Sequence, residues 1–103
     1  MLSHKDIKIR TGGKKYIYLD VFFSKNKKLT PVIFSHGFKG FKNWGFFDEI
    51  SEYFAENNCL FVKFNFSCNG VNMSEDYFSD LESFSENNLS KELDDLGFVI
   101  DWL

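Results

Sequence analysis

The chain is short of proline, cysteine and positive charge, and each shortage excludes something. Pro31 is its only proline, so no Pro-rich linker divides it into separate units. Cys59 and Cys68 are too few for the disulfide scaffold of a small secreted domain and lack Cys-x-x-Cys spacing. Reduced thiols in a cytoplasmic protein, with no metal and no cofactor, are the expectation. Twelve Lys and Arg against 15 Asp and Glu give a net charge of -3, which offers a polyanion no attractive field and argues against a nucleic-acid partner. Met1 to Arg10 is polar, and no apolar run reaches the length of a signal peptide or a bilayer span, so no membrane partner is expected either.

What is present suits one globular domain. The 103 residues leave no room for a second core, while a hydrophobic share of 44% supplies enough apolar surface to offset the ordering entropy of folding. Fourteen Phe predict an aromatic-rich core. Asp6 to Arg10 alternates polar and apolar, Thr11-Gly12-Gly13-Lys14 supplies turn chemistry, and Tyr16 to Phe23 resumes as a strand, together predicting a hairpin. A lysine-rich loop then runs from Ser24 to Thr30. Pro31 to Ser35 reads as a buried strand led by proline, and Cys59 to Phe64 as another. Between them Phe46 or Phe47, Ile50 and Phe54 recur at helical spacing, predicting a helix over about Trp44 to Glu56 that ends at Asn57-Asn58.

The segment from Asn65 to Asn88 is polar and loop-like, with Gly70 a candidate for unusual backbone geometry and one helical turn near Asp80 to Phe84. Leu89, Leu93, Leu96, Ile100 and Leu103 then form one helical stripe, with Asn88 or Ser90 as cap and the stripe expected to pack on the sheet. The divisions are therefore 1–30 hairpin and loop, 31–64 strand, helix and strand, 65–88 loop, and 89–103 helix. Strand, helix and strand in that order imply an α/β fold with a crossover between parallel strands. The last helix has no stop signal, which suggests a chain ending within its fold.

The informative stretch is Ser35-His36-Gly37-Phe38-Lys39-Gly40-Phe41, placed at the carboxyl end of a predicted strand, where ligands bind in open α/β sheets. Gly37 and Gly40 permit a sharp turn that presents backbone N–H groups to a developing negative oxygen. Taken locally, the same residues better suit a plain turn in which the His36 imidazole bonds a loop carbonyl. An apolar strand leading into His36-Gly37-Phe38, an aromatic helix, a second apolar strand and Asn65-Phe66-Ser67 together resemble the α/β-hydrolase superfamily, in particular its dienelactone-hydrolase-like and serine-peptidase-like esterases, over about Pro31 to Leu103. The resemblance implies the amino-terminal part of that fold, with an antiparallel hairpin leading into a mostly parallel sheet flanked by helices. It also implies an oxyanion donor at the Phe38 amide, with His36, Gly37 and Gly40 shaping the turn and His36 not the catalytic base.

The departures from that pattern bear on activity. A serine hydrolase of this type needs a Gly-x-Ser-x-Gly elbow followed by an acid and a histidine, and none of these occurs here. The resemblance would place the elbow beyond Leu103. The expectation is the front part of a serine hydrolase for an ester, thioester or amide, whose small acyl substrate would be turned over only by a completed protein. The competing readings are a non-catalytic small α/β binding protein and a truncated product without function. A missing neighbouring strand would leave an exposed sheet edge open to self-association.

Other chemistry-bearing residues have plain structural readings. Cys68 paired with His36 would be a nucleophile, but nothing strongly cationic lies near it in sequence to activate the thiol. Asp76, Asp80, Glu82 and Glu86 are spread over a polar stretch without histidine and read as solvated or capping residues, leaving no metal site. Lys39, Lys42 and Asn43 beside glycines lack the Gly-x-x-x-x-Gly-Lys-Ser/Thr order of a phosphate loop.

Overall fold

The computed structural model of the chain describes residues 1–11, 15–25, 28–37, 40–70 and 80–103. The elements run β1 (Leu2–Arg10), β2 (Tyr16–Phe23), β3 (Thr30–Ser35), α1 (Phe47–Glu56), β4 (Cys59–Asn65), α2 (Leu81–Glu86) and α3 (Leu89–Trp102). The four strands form one sheet in the order β1-β2-β4-β3. β1 pairs antiparallel with β2, and β2 antiparallel with β4, while β3 lies parallel to β4.

This corrects the mostly parallel sheet of an α/β-hydrolase front part. Two of the three pairings are antiparallel. The parallel crossover β3-α1-β4 forms as its sequence order dictates, but β4 inserts between β3 and β2, so the hairpin continues the sheet in the antiparallel sense. Strand order is set by which apolar faces match over long sequence separation, and no local spacing encodes it.

Side chains alternate across the sheet with the period of two that strands impose. On one face Phe22 and Phe61 meet Ala55 of α1, with Val32, Phe34, Ile50 and Phe54 packed around them. On the other, Ile17, Leu19, Val62 and Phe64 meet Phe66 and Val99 of α3. Phe61 stacks on Phe54 at 5.1 Å between ring centroids, so the aromatic-rich composition becomes ring-on-ring packing at the sheet–helix interface.

The helix ends follow local chemistry. α1 begins at Phe47 rather than Trp44, because Gly45 takes φ +53° and Trp44 to Phe46 are spent in turns. Asn58, at φ 64°, makes the left-handed exit from α1 into β4. Asp80 caps α2 by accepting from Ser83 N–H, and Asn88 caps α3 by accepting from Lys91 N–H. The amide of Asp80 donates to Gly70 O at 3.0 Å, and Gly70 has φ +85°.

α3 departs from the expected packing. Asp95 and Val99 face the sheet, Leu96 is half-buried, and Leu89, Leu93, Ile100 and Leu103 remain exposed. The orientation brings Asp95 over the end of β4, where its carboxylate accepts from Ser67 N–H at 2.7 Å and from Ser67 Oγ–H at 2.8 Å. A backbone donor at the end of a buried strand needs a partner, and the helix is turned to provide one. Burial pushes the Asp95 carboxyl above its ordinary range, against the two Ser67 donors that favour the charged form. Among the described residues no helix is long and apolar enough to cross a membrane.

Candidate functional site

The loop from His36 to Asn43 leaves the carboxyl end of β3, beside the carboxyl end of β4, and its described residues, His36, Gly37 and 40–43, are fastened by hydrogen bonds. The Gly40 amide donates to Gly37 O at 2.8 Å, closing a tight turn. A Cβ on Gly40 would sit 2.8 Å from Gly37 O and 3.2 Å from Gly37 N, so this position requires glycine. Gly37 is exposed and has room for a side chain, so its sequence position is not fixed by crowding. Asn69 Nδ2 donates to Gly40 O at 3.5 Å, and Asn65 Oδ1 accepts the Lys42 amide at 2.7 Å.

His36 is buried beneath this loop. Its Nδ1 lies 2.9 Å from Gly37 O and its Nε2 lies 3.4 Å from the Phe66 amide, while its ring meets Phe66 edge to face at 4.9 Å. The two contacts select one tautomer, with Nδ1–H donating to the carbonyl and Nε2 accepting from the amide. Both nitrogens are thereby engaged with backbone, which makes His36 a brace for the turn. Burial holds its pKa below the ordinary 6.5, opposed by the Gly37 carbonyl, which favours the protonated ring. Because the folded value lies below the unfolded one, stability is complete above about pH 6.5 and declines as the pH falls through the folded value. The melting temperature is expected to fall between pH 7.5 and 5.5, and to fall less in His36→Asn. Equal slopes in the two proteins would rule out this role for the imidazole.

Beneath the loop lies a charged cluster that the sequence reading did not identify. Asp20 of β2 and Lys63 of β4 are cross-strand partners, and both are fully buried. Lys63 Nζ reaches Asp20 Oδ2 at 3.1 Å and Asp48 Oδ1 at 2.8 Å, and donates to Lys42 O at 2.6 Å and Asn43 Oδ1 at 2.7 Å. Lys42, also fully buried, reaches Asp20 Oδ1 at 3.0 Å and Asp6 Oδ1 at 2.8 Å. The Asp6 amide, at a β1 irregularity with φ 54°, donates to Asp20 Oδ1 at 2.8 Å. The cluster ties β1, β2, β4, the first turn of α1 and the loop to one point. Its sequence signal was one acid and one base standing alone in two otherwise apolar strands, because burial tolerates such charges only as partners.

The remaining candidates separate. Phe38 and Lys39 lie outside the described residues, as does Asp76. Lys42 and Asn43 are turned into the charged cluster and do not form a phosphate cradle. Cys68 is buried, its thiol 4.0 Å from Ser67 Oγ, while His36 spends both nitrogens on backbone, so the two do not form a nucleophile and base. Cys68 lines an open depression of about 240 Å³ with Ser67, Asp95 and Phe98, on the α3 side of the sheet. Asp80 caps α2 and pairs with Lys15 at 3.7 Å, and Glu82 and Glu86 are exposed. Among the described residues, no three His, Cys, Asp or Glu side chains gather as metal ligands.

What the arrangement offers chemistry is a hydrogen-bonded turn, closed from Gly40 to Gly37, at the end of a parallel strand pair. No protein-family model matches the chain, and no curated protein matches it.

Proposed function

We propose that these residues form the front part of a serine-dependent hydrolase of esters, thioesters or amides, in which the loop after β3 supplies one oxyanion donor, the Phe38 amide, and the nucleophile is not among the 103 residues. The observation that carries this reading is the fastening of the loop by His36, Asn65, Asn69 and Lys63. Backbone donors stabilise a tetrahedral oxyanion only if they are already in place when the charge develops, and losing one such donor typically costs about 3 to 4 kcal/mol of transition-state stabilisation. The described residues on either side of Phe38, namely His36, Gly37, Gly40 and Lys42, are held in this way. The loop's position beyond the carboxyl ends of the parallel strands β3 and β4 is also where α/β sheets bind ligands.

The test is titration of the isotopically labelled chain with methylphosphonate, a small anion that stands in for the tetrahedral oxygen. Saturable shifts confined to the amide resonances of residues 36–40 are expected. Absence of any shift there would overturn the reading. Treatment with a fluorophosphonate is expected to leave the chain unlabelled, since it carries no Gly-x-Ser-x-Gly.

A further inference from the structure

β3 stands at one end of the sheet and β1 at the other. Among the described residues β3 has a strand partner on one side only, and its ladder to β4 fixes which backbone groups face outward. Thr30 N–H donates to Asn58 O at 3.0 Å, in a parallel register that sets Thr30 against Cys59, Val32 against Phe61 and Phe34 against Lys63. Alternate residues of a parallel strand bond to the same neighbour, so Val32 and Phe34 also turn their amides and carbonyls to β4. The N–H and C=O groups of Ile33 and Ser35, with the Pro31 carbonyl, therefore point to the open edge. Pro31 occupies an outward position, so its missing N–H costs no bond to β4. The opposite edge is guarded: Lys5, Asp6, Lys8 and Arg10 place charges along β1, and its register breaks between His4 and Ile7, with Asp6 at φ 54°. Thr30 to Ser35 carries no charged side chain, Val32, Ile33 and Phe34 are only half-buried, and α1 lies mainly over β4 and β2.

We infer that the open edge of β3 docks a second copy of this chain, the two β3 strands pairing antiparallel about a two-fold axis at Ile33. Ile33 then lies opposite Ile33 of the second copy, and Ser35 opposite its Pro31. Each Ile33 N–H donates to the other's carbonyl, and each Ser35 N–H donates to the Pro31 carbonyl across the axis. Every outward donor of β3 finds an acceptor, and the missing N–H of Pro31 leaves only the Ser35 carbonyl to water. The side chains agree with the backbone. A two-fold axis normal to the sheet keeps each face on its own side, so Val32 sits opposite Phe34 of the second copy on the α1 face, where both already pack. The two Ile33 side chains meet on the other face. Aromatic and β-branched residues opposed in this way are favourable cross-strand pairs. The contact consumes the open edge of both copies and leaves the guarded β1 strands outermost, so assembly stops at a dimer. A six-residue strand pair is a small interface, at the weak end of protein contacts, and gives a dissociation constant on the order of 10 to 100 µM.

The experiment is sedimentation equilibrium of the 103-residue chain over about 5 µM to 1 mM, with amide hydrogen exchange measured at both ends of that range. A monomer–dimer equilibrium is expected, with the Ile33 and Ser35 amides protected only at high concentration and the Val32 amide protected equally at both. Ser35→Pro removes an outward donor from each copy, hence both Ser35–Pro31 bonds, and is expected to weaken the dimer at least about tenfold while Val32 stays protected. The register is tested separately in a Cys59→Ser background, where the remaining Cys68 is buried. Ile33→Cys is expected to form a disulfide between copies on mild oxidation, since opposed residues of a bonded antiparallel pair have Cα atoms about 5.5 Å apart. Ser35→Cys, opposite Pro31 and not its own counterpart, is expected to form none. A monomer throughout, a polymer without a dimer end point, a dimer as tight in Ser35→Pro, or failure of Ile33→Cys to cross-link would each overturn the proposal. Protection of the Ile33 and Ser35 amides in a chain that stays monomeric would assign the edge to another segment of the same chain and overturn it as well.

Discussion

Asp20→Asn is expected to destabilise the fold by about 3 to 5 kcal/mol, because removing one partner from a buried ion pair leaves uncompensated charge in a low-dielectric interior. Asp20 stands between Lys42 and Lys63, and all three are fully buried. Its loss leaves each lysine one carboxylate, Asp6 for Lys42 and Asp48 for Lys63. Single domains are stable by only about 5 to 15 kcal/mol, so the change removes a large part of the margin. Urea unfolding measures it directly. A loss below about 1 kcal/mol would show that the cluster is not the buried anchor described here. Lys5→Met is the control: Lys5 pairs with Asp48 at 3.1 Å with both side chains substantially exposed, and its loss is expected to cost no more than about 1 kcal/mol. The double variant Asp20→Asn with Lys63→Met is expected to cost less than the sum of its parts, since each change removes the other's unpaired charge.

The same cluster sets an acid limit. Burial alone would push the Asp48 carboxyl up, but hydrogen bonds from Lys63 and Lys5 outweigh it and hold the carboxyl below its ordinary 3.8. A carboxylate with a depressed folded value contributes its stability above the unfolded value and loses it as the pH falls through the folded one. The loss from Asp48 therefore begins near pH 4, below the pH at which the His36 loss begins.

Phe61→Ala is expected to cost about 3 to 5 kcal/mol, whereas Leu93→Ala is expected to cost less than about 0.5 kcal/mol. Phe61 lies on a central strand at 2% exposure, stacked on Phe54 of α1 and close to Phe34 at 6.2 Å. Its removal leaves a cavity under α1 that the rigid sheet cannot close. Leu93 is 60% exposed on the outer side of α3, and alanine has the higher helix propensity. The comparison discriminates between two accounts of α3. A helix seated on its leucine stripe would lose about 2 to 5 kcal/mol on Leu93→Ala, a result that would refute the orientation in which Asp95 and Val99 face the sheet.

Local chemistry in the sequence determined the elements. Alternation gave β1 and β2, continuous apolar runs gave β3 and β4, helical spacing gave α1 and α3, and Asp80 and Asn88 marked two helix starts. Each of these depends on neighbours within a few residues, where backbone geometry and solvent exposure act directly. The glycine loop after β3 was legible for the same reason, since the backbone turn at Gly40 needs a missing Cβ. The tertiary structure alone decided the insertion of β4 between β2 and β3, the side of α3 that meets the sheet, and the meeting of Asp6, Asp20, Lys42, Asp48 and Lys63 under the loop. Those outcomes are fixed by balances between distant groups: two apolar strand faces that match, a Ser67 amide that must find Asp95, and buried charges that must find one another. A local pattern states what each residue can tolerate, and only the folded chain supplies the partner that makes it stable.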